Sequence, residues 1–411
     1  MKQRLQLRQW IRKNGFTVIV GIWAVIFLVI VFLADWNQIN SYTAYNTASL
    51  RYVKARVVSI ESQILEKDDT DGSRYLGTQS LQVQILEGEF QGEIVHVENY
   101  LTRTQNVYVQ EGSRIIVCVD HPQGVDAIFT VFNYYRAPVL WLVAAVFGGL
   151  VILVGRGKGV RALLGLLFTV GAVLFFMVQS IYHGCSPLLA TGITVVLTSI
   201  VSLVLLNGLG RKTGAAIAGT LLGVGISGLL FALISSLLHI SGYNTDAAES
   251  LLLISRNTGL SIRELLFAAT LISALGAVMD VAMSIATGIY EVFMANQELS
   301  GKELFQAGIR MGQDMIGTMS NTLILAYAGT AMTTILVLLS FGYQIEQLLN
   351  SDYLSVEFAG SICSTMGVIL TVPIASGISA LLYQGGVFPK PALSAENESI
   401  TVHTTVSRHQ V

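Results

Sequence analysis

The chain has 411 residues, of which 53% are hydrophobic and only 12% are charged, whereas soluble domains carry about 25% charged residues. This composition excludes a soluble globular enzyme, a disordered protein and a coiled coil. The net charge of −2 leaves no basic surface, so we expect the lipid bilayer as a partner and no nucleic acid.

Eight apolar segments are long enough to cross a bilayer, which takes about 20 residues. The first, residues 16–34, follows a basic N-terminus (residues 1–15), and we interpret it as an uncleaved anchor because no small-residue cleavage site follows it. The other seven are predicted at 138–154, 162–182, 188–206, 215–238, 265–287, 315–341 and 359–382. They predict an α-helical polytopic membrane core over residues 138–383, followed by a flexible tail over 384–411.

The distribution of Lys and Arg predicts the orientation of these spans. With the N-terminus inside, 14 of the 24 basic residues fall in inside segments. Eight of the others lie in residues 35–137, a long segment that is translocated largely regardless of charge. We therefore predict a multipass protein of the cell membrane with both termini in the cytoplasm.

Residues 35–137 differ from the rest because they contain short runs rich in Val and Ile. Leu81, Val83 and Ile85 alternate with Gln82 and Gln84, which is the period of a half-buried strand. Five strands are predicted at 51–60, 79–86, 94–101, 114–119 and 127–132. Five short strands with Gly-containing turns predict a small extracytoplasmic all-β domain, an OB-like or SH3-like barrel.

The most polar stretch of this domain, residues 66–72, resembles part of a calcium-binding loop. It lacks the glutamate that an EF-hand places in its twelfth position, so a solvated hairpin loop is the favoured interpretation and a cation site the alternative. Cys118, Cys185 and Cys363 have neither metal-ligand spacing nor the even number of a disulfide framework. We predict no cofactor.

A single acidic residue, Asp280, lies well inside a predicted span. An aspartate at that depth costs about 2.5–3.5 kcal/mol on insertion scales and therefore marks a functional site by default. Four small or polar residues lie on its side of the helical wheel: Ser273, Gly276, Ser284 and Thr287. We predict a narrow polar stripe that faces protein or water rather than lipid.

The next span begins with Asp314, Thr318 and Asn321 on one face, at offsets of four and seven residues. Asn321 and Asp280 each lie about 10 Å from the inner ends of their spans, hence at similar depth. Carboxylate, amide and hydroxyl oxygens can hold a hard cation, and a carboxylate can carry a proton. The predicted transport site therefore comprises Asp280, Asn321, Asp314, Thr318 and Ser284, for an ion of unknown identity.

Structural interpretations of the same residues remain open. Asp280 can be a hydrogen-bonded or ion-paired packing residue, with Arg310 as a possible partner. Asp314 can cap a helix at the inner interface, and Asn321 can form a hydrogen bond between helices.

Two stretches in these spans, SALGAVMDVAMS at 273–284 and GIRMGQDMIGTMSNTLILAYAG at 308–329, resemble the YibE/F family of multipass bacterial membrane proteins. The resemblance covers about residues 160–385, and an anchor, an outside domain and a multispan core in that order resemble the YibE-type member. It implies a membrane protein that transports something, together with a YibF-type membrane partner or a homo-oligomer. It implies no functional residues, so the predicted site depends on the physical reading alone.

Three functions compete at this point. The first is a permease or transporter subunit, coupled to a cation or proton through a polar cleft between spans six and seven. The second is a non-catalytic envelope assembly or sensor subunit that acts with a paired membrane protein and a possible small solute or ion. The third, an intramembrane aspartyl protease, lacks the expected GxGD sequence. Walker A, HExxH and GxSxG motifs are also missing from the sequence, so we predict no enzyme and no catalytic residues.

Overall fold

The computed structural model describes residues 15, 19–31, 33, 49–70, 72–122, 124–243, 251–252, 254–256 and 259–384. The predicted basic N-terminus (except Gly15) and the tail beyond residue 384 lie outside these residues. The chain divides into two compact units, Gln38–Val160 and Met1–Asn37 with Arg161–Val411.

The first unit contains a closed five-stranded barrel. Its strands are β1 (Leu50–Lys67), β2 (Tyr75–Ile85), β3 (Ile94–Leu101), β4 (Arg114–Asp120) and β5 (Ile128–Tyr134). They follow each other around the barrel in the order β1-β2-β3-β5-β4. Neighbours pair antiparallel except β3 and β5, which are parallel. The predicted all-β domain is confirmed, and this strand order is that of the OB-like alternative.

The barrel core follows from the alternation of side chains along the strands. Leu81, Val83 and Ile85 of β2 are at most 1% exposed, as their spacing predicted. The inward residues of the other strands are mostly valines, which suit a pleated, half-buried surface.

Strand β1 is longer than the predicted strand 51–60 because its second half pairs with β2 as far as Lys67 opposite Tyr75. Residues 68–70 and 72 of the polar stretch therefore lie in the turn between β1 and β2, in agreement with the favoured interpretation of a hairpin loop. The backbone N–H of Thr70 donates to Asp68 Oδ1 at 3.0 Å. Asp71 lies outside the described residues, and within the described part of the chain no group of three His, Cys, Asp or Glu side chains could hold a metal ion.

A buried amide network attaches the segment between β3 and β4 to the barrel. Gln79 of β2 is fully buried; its Nε2 donates to the carbonyl oxygen of Val109 at 3.1 Å, and its Oε1 accepts from Val109 N at 3.2 Å. Asn99 Nδ2 of β3 donates to Gln79 Oε1 at 3.1 Å and to the carbonyl oxygen of Val107 at 2.8 Å. Two side-chain amides thus satisfy backbone groups of a segment that lies outside the sheet.

The remaining elements are helices. They are α1 (Ile19–Val31), α2 (Ala137–Gly171), a π-helical turn (Ala172–Met177), α3 (Val178–Tyr182), α4 (Pro187–Asn207), α5 (Arg211–Leu237), α6 (Ile262–Ala295), α7 (Gly301–Ser340), α8 (Ile345–Leu349) and α9 (Asp352–Gln384). Among the described residues, six helices are long and apolar enough to cross a membrane. This finding supports the predicted polytopic helical core.

One of these six helices is the run Ala137–Tyr182, which has 46 residues. The sequence predicted two spans there. The backbone of that run leaves the helical conformation at Arg156, where φ is 47° and ψ is −130°. Arg156 lies within the predicted connection 155–161, so the break falls between the two predicted spans. The predicted number of eight spans is therefore approximate.

Helices α5, α6 and α9 pack closely because glycines remove side-chain bulk at their contacts. Gly219 of α5 packs against Ala282 of α6 and Ala375 of α9, and a side chain at Gly223 would overlap with Thr371 of α9. Membrane helices approach each other closely at such small residues.

Candidate functional site on helices α6 and α7

Helix α6 has one packed side and one polar side. Ser261 caps its start by accepting a hydrogen bond from Glu264 N at 3.3 Å, and Ala274, Val278 and Val281 are fully buried in the bundle. The predicted polar stripe lies on the opposite side. Three of its polar members are exposed on this chain: Ser273, Asp280 and Ser284.

The exposed position of Asp280 on this chain is compatible with the predicted stripe, which was expected to face protein or water rather than lipid. Asp280 makes no hydrogen bond or ion pair with another described residue. Neither the hydrogen bond nor the ion pair that the packing interpretation allowed, with Arg310 as a possible partner, is formed among the described residues. The helical wheel correctly groups these residues on one face, but it does not specify the environment of that face.

Helix α7 lies at the periphery of the bundle. Only 6% of its most apolar 18 residues are buried, against 44% for α6. It begins with a capping box in which Ser300 and Glu303 exchange hydrogen bonds, and it packs through Leu304, Gly308 and Gly312. The predicted site residues lie on its exposed side.

All three predicted residues of α7 are exposed: Asp314, Thr318 and Asn321. The hydroxyl of Thr318 donates to the carbonyl oxygen of Met315 in its own helix at 3.0 Å, which leaves its oxygen free to accept. No hydrogen bond joins the side chain of Asn321 to a described residue. We call Asp280 and Ser284 of α6, with Asp314, Thr318 and Asn321 of α7, the polar strips.

Two contacts fix the register between the antiparallel helices α6 and α7. The side chain of Met311 packs against Gly288, toward the ends of the two helices that the short connection 296–300 joins. Farther along, the hydroxyl groups of Ser273 and Tyr327 form a hydrogen bond. The residue-to-residue alignments of α6 and α7 that follow from these two contacts differ by only one residue.

This register aligns Asp280, eight residues before Gly288, with Met319, eight residues after Met311. Thr318 and Asn321 are therefore within about 3 Å of the depth of Asp280 along the helix axis. Asp314 lies five residues from Met319, a displacement of about 7–8 Å toward the start of α7. The structure brings Thr318 and Asn321 to the level of Asp280 and leaves Asp314 nearer the end of the helix.

Tyr327 is a polar residue of this region that the sequence reasoning missed. Its hydroxyl contacts Ser273 of α6 and forms a hydrogen bond of 3.2 Å with Ser364 Oγ of α9. One phenol thus connects three helices, at a level nearer the start of α6 than Asp280. A tyrosine within an apolar run was the available signal, because a buried Tyr hydroxyl usually finds a partner.

The interior of the bundle is closely packed and rich in hydroxyl groups. A side chain at Gly367 of α9 would overlap with Ser227 of α5, and the hydroxyl of Ser227 donates to the carbonyl oxygen of Cys363 at 3.0 Å. Thr194, Thr198 and several other buried threonines donate to carbonyls of their own helices. These hydroxyls serve helix packing, and the close contacts leave little room between α5 and α9.

The barrel carries a separate cavity of about 470 Å³, lined among others by Tyr52, Glu87 and His121. Lys54 Nζ lies 2.9 Å from Glu87 Oε2. The hydrogen bond from Lys54 lowers the pKa of Glu87, and the same bond raises the pKa of Lys54. Because its lining carries charges of both signs, this cavity favours no single class of ligand.

Comparison with known protein families decides the identity of both parts. A family described as YibE/F-like protein matches residues 143–385, and one described as YibE/F family N-terminal domain matches residues 50–130. The chain belongs to the YibE/F family. The N-terminal match covers most of the barrel, and the YibE/F-like match contains α6, α7 and both polar strips.

The resemblance predicted from residues 273–284 and 308–329 is thereby confirmed. Membership in the YibE/F family, together with the apolar helices, indicates a multipass membrane protein. No curated protein and no solved structure matches the chain significantly.

Proposed function

We propose that this YibE/F protein is a subunit of a membrane transporter, in which the polar strips form one wall of a path for a cation or a proton. One observation carries the proposal. Asp280 lies midway along an apolar helix, on the surface of the chain, without a partner among the described residues.

The environment of that surface decides how much the charge of Asp280 costs. Facing lipid, the carboxylate of Asp280 would cost about 2.5–3.5 kcal/mol on insertion scales, whereas intramembrane ionisable residues usually face a bundle interior or a water-filled cavity. The polar surface of α6 therefore favours contact with water or with another polar protein surface in the membrane.

The packed interior supports a path at the surface of the chain rather than through its centre. Gly223 and Gly367 bring α5 and α9 into direct contact, so a path along the exposed polar strips is favoured over one between these two helices. A path at the surface needs a second wall. A paired YibF-type membrane protein or a second copy of this chain would supply it.

The roles of the residues follow from their depth. Asp280 would bind the cation or carry the proton, because it is the acid nearest the middle of the strips. Asn321 and Thr318, at nearly the same depth, would supply neutral oxygen ligands. Asp314, nearer the predicted cytoplasmic end, would attract the ion before it reaches Asp280.

Flux measurements on the Asp280→Asn variant test this function. The full chain, reconstituted in liposomes alone and with its co-expressed partner, is assayed for proton flux and for uptake of a panel of divalent cations. We expect a loss of about tenfold to a hundredfold, because an interaction with a charged group is worth about 1.5–3 kcal/mol.

The matched control is Glu291→Gln. Glu291 is an exposed acid of the same helix, eleven residues after Asp280 and therefore on nearly the same face, about 16 Å closer to the helix end. The Glu291→Gln variant should retain the wild-type flux. Equal flux in wild type and Asp280→Asn, with both proteins inserted in the membrane, would refute the proposed role.

A non-catalytic assembly or sensor subunit is the second candidate, favoured by the charged cavity of the barrel and by the exposed strips. In that case Asp280 would serve only to bind the partner chain. Co-purification that Asp280→Asn abolishes, in a complex that conducts no ion of the panel, would favour this candidate over transport.

An aspartyl protease is disfavoured by the register. Two catalytic aspartates must approach closely enough to share a proton, but Asp280 and Asp314 differ by about 7–8 Å in depth along the helices.

A further inference from the structure

A cavity of about 310 Å³ lies at one end of the helical unit, where α5 begins and α6 and α9 end. The distribution of Lys and Arg predicts this end to be cytoplasmic. Six residues of its lining carry the argument: Gly210, Arg211, Lys212, Tyr290, Phe293 and Tyr383. Two are cationic, and no acidic residue lines the cavity.

The first feature is the start of α5, a helix of 27 residues. Gly210 occupies the N-cap, and no side chain caps the helix there. A methyl group at Gly210 would meet nothing within 4 Å, so the approach to this helix end is open. The first N–H groups of a helix have no acceptor within it, and the helix dipole makes this end attractive to anions.

The two cations follow directly in the first turn. Arg211 and Lys212 are both half-buried, and Lys212 Nζ lies 5.5 Å from the centre of the Tyr290 ring. An ammonium group held over an aromatic face keeps its charge at a defined place. A guanidinium group offers paired donors that match the oxygens of a phosphate.

The second, independent feature is the hydroxyl of Tyr383. This side chain is 6% exposed, and its hydroxyl has no hydrogen-bond partner among the described residues. Its ring stacks on Phe293 at 5.0 Å and lies 5.9 Å from Tyr290. Arg211 and Tyr290, both lining the cavity, are its electrostatic neighbours. The aromatic contacts fix a donor beside the cations, and a buried donor of this kind calls for an acceptor.

We propose that this cavity binds a phosphate group. Phosphate oxygens would accept from the first turn of α5, from Arg211 and Lys212, and from the Tyr383 hydroxyl. The phosphate belongs either to the headgroup of an anionic phospholipid or to a soluble phosphate from the cytoplasm. The site is separate from the polar strips and does not depend on their proposed function.

Thermal unfolding of the full chain in non-ionic detergent tests the proposal. One arm adds inorganic phosphate, with chloride at equal ionic strength as its reference. The other adds phosphatidylglycerol, with phosphatidylcholine as its reference. A ligand that binds only the folded state raises Tm, and we expect a rise of about 3 °C in at least one arm. The arm that responds identifies the source of the phosphate.

Four variants test whether the rise in Tm comes from binding at this cavity. Tyr383→Phe removes only the hydroxyl and Lys212→Gln only the charge, so each should remove at least half of the rise. Tyr343→Phe and Lys302→Gln change an exposed tyrosine and an exposed lysine elsewhere and should leave it intact. If Tyr383→Phe does not fold, Arg211→Gln replaces it.

Arg211 and Lys212 could serve a different, structural role. The carbonyl ends of α4, α6 and α9 lie nearby, and cations at helix C-termini stabilise their dipoles. In that case neither phosphate source raises Tm, or the rise is the same in Lys212→Gln and Tyr383→Phe as in wild type. Either result overturns the proposal.

Discussion

Glycines of the same helix differ in what surrounds them, and α7 shows this at the scale of single residues. At Gly312 an added methyl group would overlap with the side chain of Val372 on α9. At Gly317, five residues later, it would meet nothing within 4 Å. One glycine permits helix contact, whereas the other lies on the exposed side.

We therefore predict opposite effects for alanine at these two positions. Gly312→Ala should destabilise the protein by about 1–3 kcal/mol, the usual cost of overpacking. Gly317→Ala should be neutral or stabilising by up to about 1 kcal/mol, because alanine favours helix more than glycine does. Thermal unfolding of the two variants in one detergent measures the difference, and a lower Tm for Gly317→Ala than for Gly312→Ala would contradict the packing described here.

At the scale of elements, the segment 105–110 of the barrel depends on side chains rather than on strand pairing. The amide of Gln79 bonds both backbone groups of Val109, and Asn99 bonds the carbonyl of Val107. These bonds allow Val107 and Val109 to enter the barrel core without a place in the sheet.

Replacing Gln79 by methionine should release this segment. The substitution keeps most of the volume but leaves buried backbone groups of Val109 without partners, which costs about 1–3 kcal/mol. Hydrogen exchange followed by mass spectrometry should show faster exchange in residues 105–110. Gln84→Met, on the partly exposed side of the same strand, should leave that exchange unchanged. Unaltered exchange in Gln79→Met would mean that Val107 and Val109 hold the segment by burial alone.

The sequence predicted the periodicity of the elements better than their surroundings. Alternation placed Leu81, Val83 and Ile85 correctly in the barrel core, because side chains alternate strictly along a strand. Gln79 lies on the same inward face, but its partners Asn99 and Val109 are 20 and 30 residues away in the sequence, beyond the reach of any local pattern. The helical wheel likewise grouped Asp280 with Ser284, but a wheel does not show which neighbours surround a helix.

At the scale of the whole molecule, composition and apolar segment length predicted the helical core, and the alternating Val- and Ile-rich runs predicted the β domain. Segment length also predicted the helices, but it could not distinguish two spans from a single interrupted run at Ala137–Tyr182. The sequence predicted which residues form the candidate site and how far along their helices they lie. Its position on the surface of the chain depends on how α6 and α7 pack, which no local pattern specifies.

The predicted orientation can be tested through a native thiol. Cys185 is exposed in the connection between α3 and α4, which the positive-inside rule places outside. In a Cys118→Ser background, a membrane-impermeant maleimide should label Cys185 in intact cells. Cys363 is fully buried and should not react.

The control for this labelling introduces a thiol on the predicted cytoplasmic side. Glu298 is exposed in the connection between α6 and α7. In a Cys118→Ser/Cys185→Ser background, Glu298→Cys should react only after the membrane is permeabilised. The reverse pattern of labelling would show that the chain is inserted the other way round.

The backbone break at Arg156 sets two requirements against each other. A positive φ suits glycine, and a residue with a side chain held in a sparsely populated conformation bears about 1–3 kcal/mol of strain. Gly155 and Gly157 flank this position, yet the position itself carries a guanidinium group. Glycine there would relax the turn, but it would also remove one of the three positive charges from which the connection 155–161 is predicted to be cytoplasmic. Conformational ease and correct insertion thus favour different side chains at this one residue.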